Sequence, residues 1–247
     1  MTDGATNIGI VKALYLYPVK SMRGLAVDAA TLWWYGFNGD RKCAFVRSDN
    51  QSGFPWLTAR HLPALLHYQP HFVDPTDLRQ SAIRVTTPSG AELSLDDPAL
   101  TQELADAYGA PVQLMKISRG IFDAMPLSLF STTTLQTLAK ATGQPLEIRR
   151  FRPNIVVETD WPGAFPEQQW LDHTITFGDE PDAAQLQLNY PIARCSLITI
   201  DPETTQRQPQ VLQALATFPE QEMCAGIYGA VQRLGKVQVG DTIWLSP

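Results

Sequence analysis

The 247-residue chain has no apolar run approaching the roughly 20 residues that cross a bilayer. It has only three cysteines, Cys43, Cys195 and Cys224, far apart and without a CxxC pair. That excludes a secreted disulfide framework and a four-cysteine zinc or iron–sulfur site. The first residues, MTDGATNIGIVK, lack the basic and apolar regions of a signal peptide, so nothing in them is expected to export or anchor the chain. Unpaired thiols point to the cytoplasm. Positive charge is also scarce. Nineteen Lys and Arg stand against 25 Asp and Glu, a net charge of −6. A body of that sign does not hold nucleic acid by general phosphate attraction, so neither nucleic acid nor a membrane is expected as a partner. Any anion site must be a local cluster.

Nucleotide loops are missing too: no GxGxxG follows a strand, no GxxxxGK[ST] occurs, and no GxSxG elbow is present. His67 and His71 stand four apart, but Pro70 between them breaks the helix that would aim both at one metal. What remains is ordinary globular composition, 44% hydrophobic and 18% charged, which excludes disorder and coiled coil. The length suits one large unit or two small ones sharing an interface.

Strand-like runs cover Ile10–Val19, Ala29–Tyr35, Lys42–Arg47 and Val112–Ile117. Ile83–Thr87 and Ala91–Leu95 form a hairpin around Pro88-Ser89-Gly90. Pro98–Tyr108 has helical spacing, with Asp96 or Asp97 as cap and Gly109 as stop. The composition shifts little at Ser118–Asp123, where a soft boundary divides residues 1–117 from 118–247. Beyond it a helix over Ser131–Thr142 is expected, capped by Ser131 and ended by Gly143. Short strands follow at Ile155–Val157, Ile175–Phe177, Leu186–Leu188 and Ser196–Ile200, then a helix at Val211–Thr217. The end, Lys236–Leu245, reads as a hairpin turning at Gly240-Asp241. Many short strands and few helices predict a mainly β chain with some α, a barrel or sandwich rather than alternating βαβ units.

Four segments carry chemistry. In Arg149-Arg150-Phe151-Arg152-Pro153-Asn154 three arginines precede an apolar strand. In an extended backbone Arg150, Arg152 and Asn154 share one face, two guanidinium forks and an amide suited to phosphate or carboxylate. A solvated charge run on an edge strand has the same spacing. Lys20 and Ser21, behind the rigid Pro18, form a second anion candidate, and Arg41, after Gly39-Asp40, a third. Last is Cys195, between Arg194 and Ser196 at a strand mouth. A guanidinium neighbour favours the thiolate, a soft metal ligand or a nucleophile; a buried apolar cysteine is the alternative.

Tyr17-Pro18-Val19-Lys20-Ser21, Gly39-Asp40-Arg41, Thr58-Ala59-Arg60 with Pro63, Phe151-Arg152-Pro153-Asn154 running into Ile155-Val156-Val157, Arg194-Cys195 with Asp201-Pro202, and Val239-Gly240-Asp241 occur in that order. The pattern resembles the MOSC family, and within it the group that includes the amidoxime-reducing components. The resemblance implies a MOSC β-barrel preceded by a smaller N-terminal β-barrel-like domain. It implies a molybdenum cofactor (molybdopterin), with Cys195 as catalytic residue and metal ligand. Lys20, Ser21, Arg41, Arg152 and Asn154 fall where that group binds the pterin and its phosphate; Ser131 falls near a further contact, and Arg150 lies outside the tight motif. The implied activity is reduction of small N-hydroxylated compounds, independent of pyridoxal phosphate. The 247 residues hold no clustered cysteines of the kind that ligate an iron–sulfur cluster, so electrons are expected from a separate redox protein. The sulfurase branch of the family handles sulfur on the cofactor rather than reducing substrates, and the alternative function is a module that carries or binds the cofactor or its sulfur without turnover of its own.

Overall fold

The computed structural model describes residues 4–247. Residues 1–3, the start of the N-terminal unit and of the segment read for a signal peptide, lie outside the described residues. In chain order the first half holds β1 (Thr6–Leu16), β2 (Leu25–Val27), β3 (Ala29–Trp33), β4 (Gly36–Phe37), β5 (Cys43–Arg47), β6 (Gln69–Phe72), β7 (Ile83–Thr86), β8 (Glu92–Ser94), α1 (Pro98–Tyr108) and β9 (Val112–Lys116). The second holds β10 (Leu127–Ser131), α2 (Thr132–Thr142), β11 (Ile155–Glu158), β12 (Thr174–Phe177), β13 (Gln185–Ala193), α3 (Gln210–Ala216), β14 (Cys224–Arg233), β15 (Gly235–Gln238) and β16 (Thr242–Ser246).

Seven strands close into a barrel in the order β11, β10, β14, β13, β12, β16, β1, with β1 bonded back to β11. β1 closes the ring because it is long enough to use both edges. Its first half pairs with β16, and Ile10 to Leu14 pair with β11. Gly9 permits the crossing: a Cβ there would stand 2.1 Å from the Glu158 carbonyl oxygen. Alternating inward residues fill the barrel, among them Val11, Leu14, Leu129, Val157, Leu186, Ile227 and Ile243, around the fully buried Trp170. Each such aliphatic side chain contributes about 1.5–3 kcal/mol on burial.

The N-terminal unit has its own core, where Phe45, Leu57 and Val85 meet Leu100 and Leu104 of α1. The β5–β9 ribbon and the β6–β7–β8 sheet surround it. A third cluster, including Phe130, Leu138, Phe151, Ile198, Val211 and Leu215, packs α2 and α3 onto the barrel. Both long helices have the expected ends. Asp97 accepts from the Ala99 N–H and Ser131 from the Thr134 N–H, and Gly109 and Gly143 end them at φ 84° and 69°.

One βαβ unit lies within the barrel, where β10 and β11 are parallel neighbours joined through α2. The structure corrects three local expectations. Lys236–Leu245 turns at Gly240-Asp241, but β15 pairs with β3 while β16 pairs with β1 and β12, so the segment is no hairpin. Ile148–Phe151 is a 3-10 helix and Arg152 sits in the left-handed region at φ 52°, so Arg150 and Arg152 do not alternate in a strand. Ser196–Thr199 is likewise a 3-10 helix, with Cys195 at its start. Pairing also crosses residue 117, since β1 belongs to the barrel built by later strands.

Candidate functional site

Where the N-terminal unit meets the barrel lies a cavity of about 430 Å³. Its wall gathers Lys20, Ser21, Arg41, Arg150, Arg152 and Cys195, from segments far apart in sequence. Arg60 and Arg194 join them, so six cationic side chains face one carboxylate, Asp123, on a chain of net charge −6.

Lys20 and Ser21 follow the end of β1, with Ser21 held left-handed at φ 67°. The buried Lys20 ammonium donates to Asp123 at 2.6 Å and to the Ile121 carbonyl at 3.1 Å. Burial pushes its pKa below the usual lysine value, and the Asp123 charge opposes that shift. Arg41 is also left-handed, at φ 47°. Its guanidinium donates to the buried Asp40 carboxylate, and to Asn154 Oδ1 at 3.0 Å. Asp40 in turn accepts from the Tyr17 N–H at 2.7 Å, which locks the strand end to the loop.

Asn154 stands behind the wall rather than in it. Fully buried, it accepts from Arg41, from the Ser128 N–H at 3.3 Å and from the Ser128 hydroxyl at 3.1 Å, and donates to the Tyr15 carbonyl at 3.2 Å. Its amide is consumed in holding Arg41 and the start of β11 together.

Arg152 donates to the Met22 carbonyl at 2.9 Å and lies 4.2 Å from the Tyr17 ring centroid. Arg150 donates to Asp201 and Gln208, both at 2.5 Å, so it is largely neutralised. Arg194 donates to the carbonyls of Ala225 at 2.7 Å and Phe151 at 2.9 Å, and lies 5.4 Å from the ring centroids of both Phe130 and Phe151. Burial pushes the guanidinium pKa of Arg152 and of Arg194 down to about 10, so both remain charged at neutral pH. Three of their buried nitrogens, Arg150 Nε, Arg152 Nη2 and Arg194 Nη2, have no hydrogen-bond partner. Buried donors without acceptors cost about 1–3 kcal/mol each, and more when charged. Such a set suits a bound anion.

Cys195 is exposed and its thiol is free. The Arg194 N–H is tied to the Met223 carbonyl at 2.9 Å, and the Cys195 carbonyl accepts from the Ile198 N–H at 3.3 Å, so the backbone on both sides is fixed. Cys43 is buried in the N-terminal core, where burial pushes its thiol up to about 11.

Ser131 is not brought to the cavity. It sits at the far end of β10 from Ser128, a run of about 10 Å at strand rise. The anion position at the start of α2 is filled by the protein's own Glu167, which accepts from Ser131 at 2.6 Å, Thr134 at 2.7 Å and the Gly226 N–H at 3.1 Å. His67 and His71 also separate: His67 meets the Glu203 carbonyl and His71 faces Glu92. Reading the sequence alone assigned no role to Asp123 or Arg60, and Arg194 only one beside Cys195. Lys20 and Asp123 are linked only through the fold, so no local spacing exposes that pair; for Arg194 the signal was its place directly before Cys195.

Comparison with known proteins agrees with this architecture. The profile of the MOSC domain matches residues 116–244, and that of the MOSC N-terminal beta barrel domain matches residues 8–120. The chain is 30% identical to mitochondrial amidoxime-reducing component 1 of Xenopus laevis, covering 96% of this chain and 82% of that protein. It is 23% identical to mitochondrial amidoxime reducing component 2 of Bos taurus, covering 96% and 83%. A molybdenum cofactor sulfurase of Drosophila grimshawi is 26% identical over 87% of this chain but 31% of its own length. The crystal structure of the YuaD protein from Bacillus subtilis shares the fold, with a TM-score of 0.52 at 15% identity, over 98% of this chain and 97% of that one.

Proposed function

The chain belongs to the MOSC family, and on that premise we propose that its cationic cavity holds a molybdenum cofactor and that it reduces small N-hydroxylated compounds with electrons from a separate redox protein. One observation carries the cofactor half of this reading. The wall combines buried guanidinium nitrogens that lack acceptors with an exposed, free thiol. The first suit a phosphate, the second a soft metal. The substrate half rests on the amidoxime-reducing relatives.

Arg152, Arg41, Lys20 and Ser21 would hold the anionic part of the cofactor, with Arg194 added to that set. Arg150 would act through its one open nitrogen. Asn154 serves by fixing Arg41, and Ser131 by capping α2. Cys195 would ligate the metal. When bound, the group supplies two-electron redox chemistry; the protein supplies ligation, orientation and charge. Phe151, Leu197 and Ile198 give the cavity its apolar wall, which strengthens electrostatic interactions by excluding water. No described helix is long and apolar enough to cross a membrane; a cytoplasmic location rests on the three unpaired thiols.

The test is metal and pterin analysis of protein from cofactor-competent cells, followed by reduction of an aryl amidoxime with a chemical reductant. Stoichiometric molybdenum with turnover supports the reading. Molybdenum without turnover makes the chain a carrier of the cofactor or its sulfur. Absence of both molybdenum and pterin sinks it.

A further inference from the structure

Five of the six cations around the cavity are held by carbonyls or carboxylates of the protein. Arg60 is not. Among the described residues its guanidinium makes no hydrogen bond and no ion pair, and its one close partner is the Phe54 ring, 5.4 Å to the centroid. Both residues line the cavity.

The backbone beneath Arg60 is nevertheless rigid. Arg207 donates to its carbonyl at 2.8 Å. The neighbouring Ala59 is fully buried in a small cluster with Leu66 and Ile200, against which Leu197 packs. Leu197 lies in the turn that Cys195 opens. The N-terminal unit therefore presents a fixed main chain with a free planar cation against the segment carrying the exposed thiol. Phe54 adds a half-buried ring, with the Lys20 ammonium 5.8 Å from its centroid.

We propose that Phe54 and Arg60 form the substrate-selecting wall of the cavity, taking a flat aryl substrate that carries a carboxylate. The ring offers a stacking face. The guanidinium fork matches a carboxylate in bidentate geometry, and at this position it has no competing acceptor in the protein. The inference rests on the preceding reading for the reaction, but its claim about ligand charge stands on Arg60 and Phe54 alone.

The experiment compares an aryl amidoxime with its para-carboxylate in protein loaded with cofactor, wild type and Arg60→Gln, using a chemical reductant. Wild type is expected to favour the carboxylate about tenfold or more in kcat/KM, mainly through KM, as a charge-assisted pair allows. In Arg60→Gln the preference collapses towards unity while the melting temperature and molybdenum content stay at wild-type values. Phe54→Leu should raise KM for both compounds. An equal preference in wild type and Arg60→Gln overturns the proposal. So does loss of molybdenum or pterin from Arg60→Gln, which makes Arg60 a cofactor residue. If wild type turns over neither compound, the reaction reading fails and calorimetric binding of the same two compounds decides. Tighter carboxylate binding that Arg60→Gln abolishes keeps the wall as an aryl-carboxylate site, and equal affinities remove it.

Discussion

The guanidinium of Arg152 lies over the ring of Tyr17, 4.2 Å from its centroid, and the Tyr17 hydroxyl donates to the carbonyl of the next residue, Pro153, at 3.1 Å. The end of β1 and the loop before β11 are thus clasped across 136 residues of sequence. Arg41 reaches the same ring at 4.8 Å. One buried aromatic ring holds both cations near the cavity despite their mutual repulsion.

Arg152→Ala should therefore cost both stability and cofactor. Loss of the Met22 hydrogen bond and the ring contact is expected to lower unfolding free energy by about 1–3 kcal/mol, read from urea midpoints. Molybdenum per chain should fall in parallel. Arg152→Lys keeps the charge without the fork and should also retain less molybdenum than wild type. Full occupancy in Arg152→Ala would leave this arginine a purely structural clasp.

Cys195→Ser changes an exposed, free thiol, so the unfolding free energy should move by no more than the roughly ±0.5 kcal/mol typical of surface substitutions, read from urea midpoints. Amidoxime reduction with a chemical reductant should disappear. Unchanged turnover in this variant removes the ligand assignment.

Burial raises the Glu167 carboxyl above its ordinary value of 4.5, in spite of the donors from Ser131, Thr134 and Gly226. A carboxyl that binds its proton more tightly folded than unfolded stabilises the fold while protonated. That contribution declines as pH rises from about 4.5 through the raised folded value. Glu167→Gln has no proton to lose. Urea midpoints between pH 4.5 and 8 should show wild type losing stability relative to the variant as pH rises. A difference between the two that does not vary with pH contradicts this account.

Gly226 adopts φ +82°, and a Cβ there would stand 2.7 Å from the Leu129 carbonyl and 2.8 Å from Arg194 Nη2. Gly226→Ala should destabilise by about 1–3 kcal/mol through backbone strain alone. It should also push Arg194 off its place beside the stacked rings of Phe130 and Phe151 and lower molybdenum retention. Wild-type urea midpoints and molybdenum content together would show that the neighbours yield without cost.

Helix ends and chemistry-bearing residue types were legible because they depend on near neighbours. Asp97 to Gly109 and Ser131 to Gly143 frame α1 and α2 as the spacing predicts, since a cap bonds a donor two or three residues away. Arg152, Lys20, Arg41 and Cys195 stood out by type and short motif, and the cavity brings them together. Arg150 and Arg152 reach it by a different route from the extended face expected, through a 3-10 turn and a left-handed residue. A positive φ at an arginine has no local signature, because the Tyr17, Met22 and Ser128 contacts that maintain it come from elsewhere in the chain.

From the residues in order come the alternation that makes strands, the caps that stop helices and the cluster of cations on an acidic chain. Only the tertiary structure decides that β1 closes the barrel, that β15 and β16 part after a shared turn, that Glu167 occupies the start of α2, and that Arg60 alone among the cavity cations stays unpaired. The reason is physical: a strand ladder or a buried ion pair is selected by which distant surfaces exclude water together, and neither partner carries that information in its neighbours.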